Sequence, residues 1–238
     1  LSGLRIGVVS EGFASESAEE RATTAAVRAA IERMAGEGAT VTEVSVPLHL
    51  QTGGVGFAIF HEGMAAVLRD NGQNYGLSGR YDPAFATAMH EALGRSIEEM
   101  SPQMKVALIA GSYMHDTWGG ERYARARRLQ SEVRTGYERL FADFDVLAMP
   151  TTPYVATLPF AEEGIDGRIG ASWDNLRNTA PFNVSGHPAI SLPLAEAEGL
   201  PAGVMLVGPL FADALLLQIA YACEQRLGWR GTPARRAQ

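Results

Sequence analysis

"FDVLAMPTTP", Phe144 to Pro153, reads as a buried strand that stops abruptly. Asp145 precedes the apolar run Val146, Leu147, Ala148 and Met149, and two prolines then bracket a pair of threonines. Proline has no N–H to give a sheet ladder, so the strand ends near Pro150. A rigid, hydroxyl-bearing loop at a strand end is a common place for an enzyme to build part of a site. What pairs with this strand, and what surrounds its loop, sets the reading of the rest.

Working outward, "LRIGVVS" (Leu4 to Ser10) is a β-branched run of buried-strand type. "SESAEERATTAAVRAAIERMAGEG" follows, with acids in its first turn and glycines after its last, the charge order and stop signal of a helix. "ATVTEVSVPL" then alternates like a second strand, so the opening predicts parallel pairing through a right-handed crossover. From Val55 to Phe144 the chain reads as four helices. Pro83 sits in the first turn of the second, and Ser101 with Pro102 opens the third. The fourth is amphipathic, with arginines and interleaved Glu121, Glu132 and Glu138 on a solvated outer face. After the Gly-rich loop, "HPAISLPL" and "PAGVMLVGP" supply two strands around the turn "AEAEGL", and a helix from Ala212 to Leu227 closes the fold. No repeat or linker divides the sequence, and the expectation is a single α/β unit over residues 1–238.

The composition is that of a globular protein, with 46% hydrophobic and 20% charged residues. A net charge of −7 and a pI near 5.3 argue against nucleic acid or a membrane surface as partner. No apolar run approaches the roughly 20 residues needed to span a bilayer. The lone cysteine, Cys223, excludes internal disulfides and reads as a small core residue, and a cytoplasmic location is expected. The first residue is Leu1 rather than Met, which raises the expectation that further sequence precedes it.

The histidines, His49, His61, His90, His115 and His187, occur singly, without HExxH or CxxC spacing, so no metal site is expected. "TGGVG" (Thr52 to Gly56) lacks the third glycine of a dinucleotide loop, and no cofactor is expected. Ser185 and His187 form a Ser-x-His pair in "NVSGHP", but the elbow G-x-S-x-G is absent, and a turn built by Gly186 and Pro188 is the simpler explanation.

The ordered series of segments is more informative. "NYG" (Asn74 to Gly76), "MKVALIAGSYM", "WGGERYARARRLQSEVRTGYERLFADFDVLAMPTTP", "NTAPFNVSGHPAISLPL" and "GLPAGVMLVGPLFADALLLQIAYACEQ" together resemble the latter half of amidase-signature enzymes. Asn-Thr-Ala-Pro-Phe followed by Gly-His-Pro resembles most the pattern of the bacterial broad-range amidases. The resemblance implies an α/β class: the C-terminal part of the amidase-signature fold, a mixed β-sheet flanked by α-helices. It implies hydrolysis of carboxamides to a carboxylic acid and ammonia by a Ser-Ser-Lys triad with backbone oxyanion donors. The sequence holds no Ser-Ser pair, and Lys105, its single lysine, does not occupy the family's catalytic place. No catalytic residue is therefore assigned, and the chain is expected to be inactive without a missing N-terminal half.

For the acyl group of a small-molecule amide, the resemblance implies apolar walls from Phe57, Phe60, Trp173 and Phe182, with Asn178 and Thr179 as polar neighbours. A homo-oligomer is expected, through an apolar patch beside the "LRIGVV" or "HPAISLPL" strands. Two rivals stay open. In the amidase subunit of a tRNA-dependent amidotransferase, an acidic residue is expected where this chain has Leu176, with Asp174 nearby. The other rival is a non-catalytic interaction module with an amidase-like shape.

Overall fold

A computed structural model describes residues 1–73, 78–157 and 174–228. The strand Val146–Pro150 (β3) is buried at every position and lies at the middle of a five-stranded sheet, order β2-β1-β3-β5-β4. β1 (Arg5–Val9) pairs in parallel with β2 (Thr40–Val44) and with β3, aligning Ile6 with Val146 and Val8 with Ala148. β5 (Leu200–Val207) runs antiparallel to β3, and β4 (Ala189–Ala197) antiparallel to β5. The sheet is thus mixed: its parallel half comes from the β-α-β opening and its antiparallel half from the terminal hairpin.

Local chemistry explains the boundaries. Helix α1 (Ala18–Gly36) starts at a capping box, in which Ser17 Oγ accepts from the Glu20 N–H at 3.1 Å and the Glu20 carboxylate reaches back. β2 stops at Val44, short of its sequence run, because Pro47 starts a 3-10 turn over Pro47–Gln51. The β4–β5 hairpin turns at Glu198 and Gly199, both with positive φ, the two-residue geometry that suits twisted strands. Pro193 falls where the register shifts between Leu192 and Ala195, on an edge strand, where a missing N–H is tolerated.

The sequence reading puts an apolar patch beside "LRIGVV" or "HPAISLPL"; of these two strands β1 is interior, with Ile6 to Val9 buried between two neighbours, whereas β4 is an edge. The edges are β2, largely polar, and β4. Tertiary contacts gather residues 1–53 with 130–238 as one unit and residues 54–129 as another, where the sequence pattern predicts a single unit. In the first unit, α1 packs on β2, β3, β4 and β5.

The second unit holds most of α2 (Thr52–Arg69), α3 (Pro83–Ser96), α4 (Pro102–Trp118) and the first turns of α5 (Glu121–Leu140). Ser101 Oγ caps α4 by accepting from the Met104 N–H at 3.3 Å, as its sequence signal predicts. α2 and α4 cross so closely at Gly111 that a Cβ there would lie 2.0 Å from the His61 carbonyl oxygen. Back in the first unit, the short helix α6 (Ala180–Ser185) leads into β4, and α7 (Asp213–Leu227) follows β5.

Candidate functional site

The loops that leave the parallel strands β1 and β3 emerge at the same sheet end, where open α/β sheets carry their ligands. One side chain joins them. Asn178, 1% exposed, donates through Nδ2 to the Gly12 and Pro150 carbonyls, each at 2.8 Å. Carbonyls only accept, so this fixes the amide orientation and turns Oδ1 toward His49 Nε2 at 3.3 Å. His49 Nε2 therefore carries the proton, and Nδ1 accepts from the Tyr137 hydroxyl at 2.8 Å. Burial depresses the His49 pKa and keeps the ring neutral, and burial likewise raises the Tyr137 hydroxyl. The result is a one-directional relay: Tyr137 to His49 to Asn178 to two strand-end carbonyls.

The threonines of the opening loop are also engaged. Thr151 Oγ1 lies 2.6 Å from Ser191 Oγ, and Thr152 Oγ1 donates to the Tyr154 carbonyl at 2.8 Å. The hydroxyl pair fits because residue 203 is glycine: a Cβ there would lie 2.5 Å from Ser191 Oγ and 2.6 Å from Thr151 Oγ1. Beside the loop, Arg177 pairs with the buried Glu20 carboxylate at 2.6 Å. Burial works against ionisation of Glu20, but bonds from the Glu16 N–H and from Arg177 outweigh it and hold its pKa low. Burial raises the Tyr154 hydroxyl, helped by its bond to Asp174.

Ser185 and His187 do meet, at 2.9 Å between Oγ and Nδ1. Ser185 is 0% exposed, so a substrate carbonyl has no path to its hydroxyl in this structure. Burial and the nearby Arg134 push the His187 pKa down to about 4. Arg134 Nε donates to the Ser185 carbonyl at 2.8 Å, so this arginine, exposed as its sequence pattern predicts, also ties its helix to the turn before His187. On that helix the outer face does hold a one-turn pair, Glu121 with Arg125 at 2.9 Å. Lys105 is spent on Glu98, donating to its carbonyl at 2.8 Å.

The six residues assigned to the acyl group fall differently. Phe182 is buried and packs on Tyr137, 5.0 Å between ring centroids, while Asn178 belongs to the relay. Thr179 is half-buried, its hydroxyl 3.4 Å from the Leu176 carbonyl. In the second unit, Phe57 and Phe60 stand on α2 at 39% and 41% exposure, Phe57 stacked on His61 at 3.7 Å. Trp173 lies outside the described residues. The relay through His49 and Tyr137 had no sequence signal, since its members come from five separated segments.

The amidase family model matches residues 1–217. The chain belongs to the amidase family. It is 37% identical to an enantioselective amidase of Rhodococcus rhodochrous over 231 residues, 95% of this chain and 44% of that protein. It is 32% identical to a glutamyl-tRNA(Gln) amidotransferase subunit of Halobacterium salinarum over 230 residues, 94% of this chain and 52% of that one. The chain therefore spans about half the length of these curated relatives. A solved bacterial aryl acylamidase of the amidase signature family superposes with a TM-score of 0.68 at 19% identity, covering 96% of this chain and 44% of its own, a likeness of fold. The α/β class and mixed sheet of the amidase-family chain agree with that fold. Among the described residues, no helix is long and apolar enough to cross a membrane, and no group of three or more His, Cys, Asp or Glu is placed to hold a metal ion.

Proposed function

We propose that this chain is the C-terminal portion of an amidase that hydrolyses the C–N bond of carboxamides to carboxylic acid and ammonia, and that alone it lacks the catalytic triad. The carrying observation is the match over residues 1–217 in a sequence with no adjacent serines and one lysine, itself bound to Glu98. Nucleophile, base and oxyanion donors act as a unit, and removing them leaves binding without turnover. The test is ammonia release from aliphatic and aromatic amides by the isolated chain and by a full-length amidase containing it. Turnover by the isolated chain near the full-length rate would overturn the reading.

In this reading Phe57, Phe60 and Trp173 give apolar contact to the acyl group, with Thr179 as a polar neighbour, while Asn178 and Phe182 support the strand-end loops. The exposure of Phe57 and Phe60 supports the first part. A cytoplasmic bacterial enzyme is the setting we propose. A second reading, the amidase subunit of a tRNA-dependent amidotransferase, is favoured by the 32% identity to the Halobacterium salinarum protein. Its discriminating assay is glutamine hydrolysis against simple amides in the full-length protein.

A further inference from the structure

The terminal helix α7 carries more apolar surface than its packing uses. Leu216, Ile219, Ala220, Cys223 and Leu227 form its buried face, which contacts β4, β5 and α1. On one flank of that face stand Leu217, 60% exposed, and Tyr221, 64% exposed, one turn apart, with Ala214 also exposed one turn before them. Just ahead of the helix, Phe211 is 96% exposed and its backbone φ is +62°. A bulky L-residue in the left-handed region is a steric outlier, and such strain is kept where the surroundings or a function demand it. An exposed aromatic beside two further large apolar side chains has the composition of an interface anchor.

The length of the relatives points to what covers this surface. The match to the enantioselective amidase uses 95% of this chain and only 44% of that protein, so more than half of the relative's polypeptide lies outside the shared region. The aryl acylamidase shows the same proportion, 96% against 44%. A lipid surface fits poorly, because no lysine or arginine lies between Phe211 and Gln225. We propose that Phe211, Leu217 and Tyr221 form the seat for the remaining amidase polypeptide, with Phe211 entering an apolar pocket in it. This rests on the reading given under Proposed function.

The test joins the non-matching segment of the Rhodococcus rhodochrous enantioselective amidase to Leu1, and also supplies that segment as a separate polypeptide. Hydroxyl-radical footprinting compares Phe211 and Tyr221 in the chain alone, the fusion and the mixture, and ammonia release is measured on the same samples. Oxidation of both side chains should slow at least about fivefold in the fusion or the mixture. Phe211→Ser with Tyr221→Ser should weaken association in the mixture by about tenfold or more while leaving the circular dichroism of the isolated chain unchanged. Protection without ammonia release would support the seat and count against the enzymatic reading. Ammonia release with Phe211 and Tyr221 oxidised as fast as in the chain alone would keep the enzymatic reading and overturn the seat. Failure of protection in both arrangements would overturn it too, as would concentration-dependent protection in the chain alone, which would make a second copy the occupant.

Discussion

Asn178 holds the Pro150 carbonyl at 2.8 Å and so secures the last residue of β3. The same amide group grips the Gly12 carbonyl after β1, and one side chain therefore sets the spacing of two neighbouring parallel-strand exits. Replacing it should be costly. Asn178→Ala leaves two buried carbonyls and the His49 Nε2–H without a side-chain partner, and we expect a loss of about 2–4 kcal/mol in denaturant unfolding. Asn178→Asp should be as damaging, because a carboxylate cannot donate to a carbonyl. A loss below about 1 kcal/mol for both variants would show that the relay is dispensable.

Gly111→Ala tests the crossing of α2 and α4. Its methyl group would sit 2.0 Å from the His61 carbonyl oxygen, which is backbone and cannot swing aside. The helices would have to separate, and a cost of about 2–3 kcal/mol is expected. The measurement is thermal unfolding with a near-ultraviolet signal from Trp118. An unchanged midpoint would mean that the crossing is looser than described.

Acid should weaken the fold in two stages. His187 titrates near 6.5 when unfolded and is pushed down to about 4 when folded, through burial and then Arg134. Between those values the unfolded chain binds the extra proton, so stability falls as pH drops from about 6.5 to 4, by up to about 3 kcal/mol. His49, depressed by burial, acts in the same direction. Asp145, held low by its bonds to Arg5, and Glu20 contribute stability that is present above their unfolded pKa and is lost as pH falls further. Urea midpoints measured from about pH 7.5 to 4.5 should slope downward. His187→Gln should flatten that slope, and an equal slope in both proteins would reject the assignment.

Cys223 should be inert while the chain is folded. It is fully buried, and burial raises its thiol pKa to about 11. A thiol reagent at about pH 8 should therefore label it only at the rate of unfolding, and labelling within seconds in native buffer would contradict its place in the core.

The acyl-contact proposal is tested in a full-length amidase containing this chain. Phe57→Ala should shift the ratio of kcat/KM between small and bulky amides by roughly tenfold, the scale of an altered apolar contact. An unchanged ratio with intact folding would remove Phe57 from the pocket, and Phe60→Ala asks the same of its neighbour.

By itself the sequence determined the strands, the caps and the family resemblance, because each is written in short-range terms. The acids in the first turn of α1, Ser101 with Pro102, and the prolines around Thr151 act within a few residues, and periodicity marks which faces are buried. Which strands become neighbours was only partly legible. The β-α-β opening implied that β1 and β2 pair, but nothing local places β3 on the far side of β1 and so turns "LRIGVV" into an interior strand. The tertiary structure alone decided that Asn178 bridges two loops, that His49 meets Tyr137 across 88 positions of chain, and that Arg134 reaches the Ser185 carbonyl. The reason is physical: a buried polar group must find a partner, and in a folded chain that partner is chosen by proximity in space, which sequence spacing does not encode.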